Sequence, residues 1–203
     1  MEDGFPGECN VSATFTLGES ALEISYAATC ERATVINLSQ HVYFNLRGAG
    51  RGDVLNHQLS VSADRYTPVD RYKIPTGAIE PVRGTPLDFI VPKPIRRNLA
   101  QLPGGYDHNF VLTPGSSYAA RLYDPESGRV LEIATDQPGL QLYSGDALDG
   151  SVKGIGGAYA KHGGVVMEPQ HFPDSVHHPN FPPTILRPGE RFRRAVTYRF
   201  GTD

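Results

Sequence analysis

Glycine and proline interrupt this sequence every few residues, 22 and 17 of them among 203 positions. Between the interruptions, apolar residues never keep helical spacing over the roughly ten positions that a stable helix requires. What they do keep is alternation. Val11 to Leu17, Leu22 to Ala27, Ala119 to Tyr123 and Val130 to Ala134 place apolar and polar residues by turns, the period-2 pattern of antiparallel strands with one buried face. Between the last two lies Asp124-Pro125-Glu126-Ser127-Gly128-Arg129, whose Pro, Ser and Gly predict the turn of a hairpin. Further strands are expected at Thr34 to Leu38, Gln58 to Ala63, His108 to Leu112, Leu140 to Tyr143, Gly164 to Met167 and Arg193 to Phe200. Many short strands separated by turns predict an all-β fold, a large β-sandwich. Residues 1–203 read as a single domain, a length that an all-β unit can use in full. From Tyr66 to Arg97 six prolines intervene; that stretch is too Pro-rich for central strands and is expected to run over the surface. The first strand signal follows almost directly on Met1, which leaves an expected sheet edge uncovered and the chain prone to self-association there.

Composition excludes several classes of function. With 39% hydrophobic and 20% charged residues the chain is neither disordered nor membrane-like. A formal net charge of -3 gives no reason to expect nucleic acid or an anionic membrane as partner. The short basic runs Arg96-Arg97 and Arg191, Arg193, Arg194 read as solvated faces. Met1, Glu2 and Asp3 precede a Gly/Pro turn and so offer no signal-peptide pattern. Cys9 and Cys30 are the two cysteines; they are expected to be reduced, partly buried thiols in a cytoplasmic protein.

Three segments could carry chemistry. In Asn37-Leu38-Ser39-Gln40-His41-Val42-Tyr43-Phe44-Asn45-Leu46 a strand signal ends in polar side chains, which puts His41 near a strand end or loop mouth. It could equally satisfy buried backbone groups. Gly104-Gly105-Tyr106-Asp107-His108-Asn109-Phe110 delivers a carboxylate, an imidazole and an amide in succession, a set of donors and acceptors suited to hydroxyl-rich ligands. Asp107 could instead cap its turn. In Val165-Val166-Met167-Glu168 a carboxylate ends an apolar strand, where desolvation raises its pKa and improves it as a base; a salt bridge to an arginine is the competing reading. There is no phosphate-binding glycine loop, nucleophile elbow or His-Glu-x-x-His helix. A metal at His177-His178 with His171 is disfavoured if the adjacent pair lies on a strand and points to opposite faces.

Taken together and in this order, the three segments resemble the aldose 1-epimerase (galactose mutarotase) family. Pro68-Val69-Asp70 with Ile74-Pro75-Thr76-Gly77, Ser127-Gly128-Arg129, Gln137-Pro138-Gly139 with Gln141-Leu142-Tyr143, and Phe181-Pro182-Pro183 with Leu186-Arg187-Pro188-Gly189-Glu190 extend the likeness over nearly the whole chain. The resemblance implies a large twisted sandwich of the galactose mutarotase type and interconversion of the α and β anomers of free hexoses such as galactose and glucose, with no cofactor and no metal. It implies a base at Glu168, an acid at His41 and sugar-hydroxyl binding at Asp107, with Gln141 and Tyr143 lining the cleft. Family members also carry an upstream portion supplying further strands, an arginine and a second histidine. The segment Met1-Glu2-Asp3-Gly4-Phe5-Pro6-Gly7-Glu8 is similar to a mid-chain stretch of the family, so the sandwich is expected to be incomplete on its N-terminal side. Two alternatives stand beside this reading. One is a non-catalytic sugar-binding or assembly module; the other is a hexose-phosphate epimerase relative, which needs a cationic pocket.

Overall fold

The structure, a computed structural model, describes residues 4–203; Met1, Glu2 and Asp3, which open the segment likened to the family's mid-chain, lie outside them. In chain order the strands are β1 (Cys9–Leu17), β2 (Ala21–Cys30), β3 (Thr34–Val35), β4 (Tyr43–Phe44), β5 (Gln58–Val61), β6 (Arg65–Thr67), β7 (Glu80–Pro81), β8 (Lys93–Pro94) and β9 (Asp107–Val111). They continue as β10 (Ala120–Tyr123), β11 (Arg129–Thr135), β12 (Gly139–Tyr143), β13 (Lys153–Gly154), β14 (Gly157–Ala158), β15 (Val165–Gln170), β16 (Ile185–Leu186) and β17 (Phe192–Thr202). Helix among the described residues is limited to three short 3-10 turns.

Two antiparallel sheets dominate. The first has the order β1-β2-β17-β11-β10-β5-β8 and the second β4-β15-β12-β9-β6-β7, with the two-residue pairs β13-β14 and β16-β3 as small ribbons. Alternation decides what lies between the sheets. Phe110, Leu140, Leu142, Val165 and Met167 of the second sheet and Ile24, Leu122, Leu131, Ile133 and Tyr198 of the first belong to one buried cluster. Each large apolar side chain so enclosed contributes about 1.5–3 kcal/mol relative to exposure. Aromatic contacts tie the layers: the Phe44 and Tyr198 rings stand 5.4 Å apart, and Phe89 lies 5.2 Å from Tyr106 and 6.4 Å from Phe110. The expected hairpin between β10 and β11 forms, closed by Gly128 N–H to Asp124 O at 2.9 Å with Gly128 at φ 70. The Asp124 carboxylate accepts from Ser127 N–H at 3.1 Å inside the same turn.

Several expectations need correction. β1 alternates, yet all nine of its residues are exposed. Val11, Ala13, Phe15 and Leu17 pair with Ala28, Tyr26, Ile24 and Leu22 and so share the core face of the first sheet, but β1 projects beyond the apolar cover that buries β2. The Thr34 to Leu38 strand stops at Val35. Past it, Asn37 and Ser39 replace ladder bonds with side-chain bonds to His171 O at 3.0 Å and Pro169 O at 2.8 Å. The Pro-rich excursion supplies edge strands as its composition requires, but Val82, Leu87, Phe89 and Ile95 within it are buried core residues, because its prolines punctuate an apolar layer that folds over the sheets' flank. His177 belongs to a 3-10 turn (Ser175–His177), with His178 directly after it, rather than to a strand. The tight turn lets both imidazoles reach Asp174, His178 Nε2 at 3.4 Å and His177 through Nδ1. Among the described residues no three His, Cys, Asp or Glu side chains are grouped to hold a metal ion. Cys9 is exposed and Cys30 buried, both unbridged. Arg194 is only partly solvated: its Nη2 lies 3.4 Å from His171 Nε2.

Candidate active site

The outward face of the second sheet is polar, and register explains why. Glu168 on β15 is opposite Gln141 on β12, which is opposite Asn109 on β9, which is opposite Thr67 on β6. One step along, Tyr143 is opposite Asp107. Residues directly opposite in an antiparallel pair share a face, so these six side chains line one surface while Phe110, Leu140 and Leu142 point into the core. By the same parity His108, between Asp107 and Asn109, falls on the opposite face. Its ring accepts the Asp107 N–H at 3.0 Å, and burial holds its pKa below the usual histidine range, Asp107 opposing and Lys73 reinforcing that shift.

His41 arrives from a segment outside the sheet. Tyr43 on β4 pairs with Val166 on β15, two residues from Glu168, and this carries the preceding chain across the end of the polar face. Side chains strap the segment down: Asn37 and His171 exchange bonds at 3.0 and 2.9 Å, Ser39 Oγ donates to Pro169 O, and Gln137 Nε2 donates to Leu38 O at 3.1 Å. The polar run before His41 is therefore an anchor. His41 Nε2 ends 3.9 Å from Glu168 Oε1, with side-chain exposures of 54% and 14%. That is too long for a hydrogen bond. The two groups converge without consuming each other. The His41 ring lies 5.0 Å from Tyr43 and 6.3 Å from Tyr143, and those two rings are 6.3 Å apart.

Burial raises the Glu168 pKa above the ordinary carboxylate value; His41 opposes the rise and Asp107 adds to it. A carboxylate shifted this way holds a proton more readily, as a general base working near neutrality must. The carboxylate's neighbour is thus a histidine, and the arginine bridge allowed by the sequence is not made.

Asp107 does not cap its turn. Gln141 Nε2 donates to its Oδ1 at 2.8 Å and Lys73 Nζ to its Oδ2 at 2.6 Å, which raises the Lys73 pKa. Lys73 was not legible as a site residue. It reaches Asp107 from a tight turn in the Pro-rich excursion, where Asp70 Oδ1 accepts from Tyr72 N–H and Ile74 N–H at 2.8 and 3.0 Å and Lys73 itself takes φ 63. The Asn109 side chain donates to Thr67 Oγ1 at 3.2 Å. Two acceptors of this face, Gln141 Oε1 and Asn109 Oδ1, are buried without a partner. The Tyr143 hydroxyl accepts Ala147 N–H at 2.6 Å. The structure thus brings His41, Glu168, Asp107, Gln141 and Tyr143 to one surface and adds Tyr43, Lys73, Asn109 and Thr67. Beside Tyr43 opens a cavity of about 470 Å³, walled by Tyr43, Phe44, Leu148, Val152 and Tyr159.

Residues 1–199 match the family described as Aldose 1-epimerase. Among curated relatives, the chain is 43% identical over 203 residues to a galactose mutarotase of Homo sapiens, covering 98% of this chain and 59% of that one. It is 36% identical to an aldose 1-epimerase of Haemophilus influenzae, covering 98% and 61%. Among solved structures, a GalM/aldose epimerase homologue from C. elegans superposes with a TM-score of 0.90 at 31% identity, over 99% of this chain and 62% of that one. A galactose 1-epimerase from Lactobacillus acidophilus NCFM gives 0.85 at 29% identity, over 98% and 58%. The chain spans about three-fifths of the length of the relatives it matches.

Proposed function

The chain belongs to the aldose 1-epimerase family, and from that premise we propose that it interconverts the α and β anomers of free aldohexoses such as galactose and glucose, with Glu168 as base and His41 as acid. The observation that carries the reading is the convergence of a desolvated carboxylate and an imidazole 3.9 Å apart on one polar face. Glu168 takes the proton of the C1 hydroxyl. As the C1 carbonyl forms, the bond from C1 to the ring oxygen breaks, and His41 protonates that oxygen. Rotation about the C1–C2 bond presents the other carbonyl face. His41 then takes the proton back from the attacking hydroxyl while Glu168 returns its own to the carbonyl oxygen. Protons and electrons balance over the cycle, so it calls on no cofactor. Asp107, with Gln141 and Tyr143, is assigned to the sugar hydroxyls: a carboxylate accepts from them, and the unpartnered Gln141 Oε1 offers a further acceptor.

Polarimetry of freshly dissolved α-D-glucose and α-D-galactose tests the assignment. The chain accelerates mutarotation, and Glu168→Gln lowers the rate by on the order of a hundredfold to ten-thousandfold. Equal rates in the variant remove Glu168 as the base. Sugar binding without any acceleration by the unmodified chain supports the second reading, a sugar-binding module. A hexose-phosphate substrate draws little support: Arg96 and Arg97 lie beyond β8 at the edge of the first sheet, whereas Glu168 and Asp107 are on the second.

A second copy of this chain is the proposed partner of β1. The nine exposed residues carry no charge and no proline, the devices that ordinarily protect a free edge. Antiparallel pairing about a two-fold at Ala13 sets Val11 against Phe15 of the other copy, a self-complementary arrangement. A cytoplasmic setting is proposed with it, in keeping with two unbridged thiols. No helix among the described residues is long and apolar enough to cross a membrane.

A further inference from the structure

Cys9 and Cys30 are register partners across β1 and β2. They are 21 positions apart in sequence, and neither takes part in the chemistry assigned to the second sheet. Ladder bonds fix the kind of pair they form. Glu31 N–H donates to Glu8 O at 3.0 Å one step outward, and Gly18 N–H to Ala21 O at 2.7 Å at the far end of the hairpin. Bonded and unbonded pairs alternate along an antiparallel ladder, and both anchors, Glu8 and Gly18, fall on the even-numbered positions that flank β1, so position 9 is an unbonded pair. Unbonded partners share a face at a Cα separation of about 4.5 Å, inside the range of about 4.4–6.8 Å over which a disulfide closes.

The two thiols differ in access. Cys9 is exposed, because β1 overhangs the core; Cys30 is buried and donates through Sγ to Leu186 O at 3.3 Å. We propose that Cys9 and Cys30 form a thiol-disulfide site, an exposed attacking thiol with a buried resolving thiol, that closes into a cross-strand disulfide when it meets a low-molecular-weight disulfide such as oxidised glutathione. The Cys9 thiolate attacks one sulfur of the oxidant, forming a mixed disulfide and expelling one reduced thiol. The Cys30 thiolate then attacks Cys9 Sγ, forming the Cys9–Cys30 bond and expelling the second. Two protein thiols are oxidised and one small disulfide is reduced to two thiols, the protons passing to solvent or to the leaving thiolates. Burial raises the Cys30 thiol pKa, with Cys9 and Glu190 adding to it, so ring closure quickens as rising pH increases the Cys30 thiolate fraction. Closing the bond staples the uncovered edge strand to β2.

The test uses the unmodified chain in oxidised glutathione, read by thiol titration, intact mass, non-reducing electrophoresis and peptide mapping. The expected product has lost both titratable thiols, is lighter by about 2 Da for the two thiol hydrogens, carries a Cys9–Cys30 cross-linked peptide and reverts with dithiothreitol. In Cys30→Ser the reaction stops at the mixed disulfide on Cys9. In Cys9→Ser, altered at the exposed position, the buried thiol stays free. The proposal is overturned if the unmodified chain keeps both thiols, accumulates the Cys9 mixed disulfide without closing, or links Cys9 to Cys9 between copies. None of these readouts depends on mutarotation, so the outcome is separate from that of the proposed activity.

Discussion

His171 is 4% exposed, with Nδ1 2.9 Å from Gln137 Oε1 and Nε2 3.4 Å from Arg194 Nη2. The Phe192 ring stands 6.4 Å away. Burial first and the Arg194 charge second push its pKa from 6.5 down to about 4, with Asp136 opposing. Between those values the unfolded chain binds a proton that the folded chain refuses. The stability this contributes is present above the unfolded pKa near 6.5 and is lost as pH falls toward 4, a change of about 3 kcal/mol at most. The urea midpoint is therefore expected to drop from about pH 7 to about pH 5, and to drop less in His171→Gln. An identical pH dependence in that variant would falsify the assignment. The strap that carries His41 holds the same residue by its backbone N–H, which donates to Asn37 Oδ1, and not by its imidazole. Single residues were legible where their chemistry is local. Glu168 announced its desolvation through the three apolar residues before it; His41, expected near a strand end or loop mouth, lies in the non-strand segment between β3 and β4. Lys73 announced nothing, because it meets Asp107 across 34 positions of sequence from a turn whose own composition signals only a bend. Arg194 misled for the converse reason: an arginine run reads as solvated until a buried side chain, here His171, lies against one member.

At the scale of strands, β9, β10, β11 and β12 were readable within one residue, while β2 and β15 run three residues beyond their expected ends; β2 and β10 bury alternate residues, and alternation records that burial. β1 carries the same alternation and buries nothing. Periodicity reports which side chains share a face; it does not report whether another layer lies against that face. That depends on the lateral offset of two sheets, which no local pattern encodes. Phe15 and Leu17, 57% and 82% exposed, are the consequence. Sedimentation velocity is expected to show the chain self-associating with rising concentration, and Phe15→Lys to return it to monomer by setting a charge beside Val11 of the other copy. A sharply monomeric profile of the unmodified chain counts against the pairing. The Pro-rich excursion shows the reverse failure. Its prolines correctly forbade central strands, but Val82, Leu87, Phe89 and Ile95 pack as core without being strand residues at all, and no period marks them.

Across the whole molecule, the site and the core are two faces of the same five residues of β9. Asp107 and Asn109 look outward to the polar face; Phe110, fully buried, looks inward to Phe89 beside Tyr106. Because the buried residues of both sheets form one contiguous cluster, removing that ring is felt on both sides. Phe110→Ala is expected to cost about 3–5 kcal/mol through lost burial and the cavity left behind. If residues 1–203 fold as one domain, the loss shifts every signal together. The chain has 10 tyrosines and no tryptophan, so tyrosine fluorescence reports the aromatic contacts between sheets while far-UV circular dichroism reports the ladders themselves. Coincident unfolding curves, displaced equally by Phe110→Ala, are the expected result. Separate transitions, with only one of them moved by the substitution, divide the chain into two units and detach the polar face from part of the core beneath it. The placement of Asp107 and Asn109 follows Phe110 under either outcome, since adjacent residues on one strand cannot shift register independently. Sugar affinity is therefore expected to fall in Phe110→Ala even under conditions where the variant remains folded.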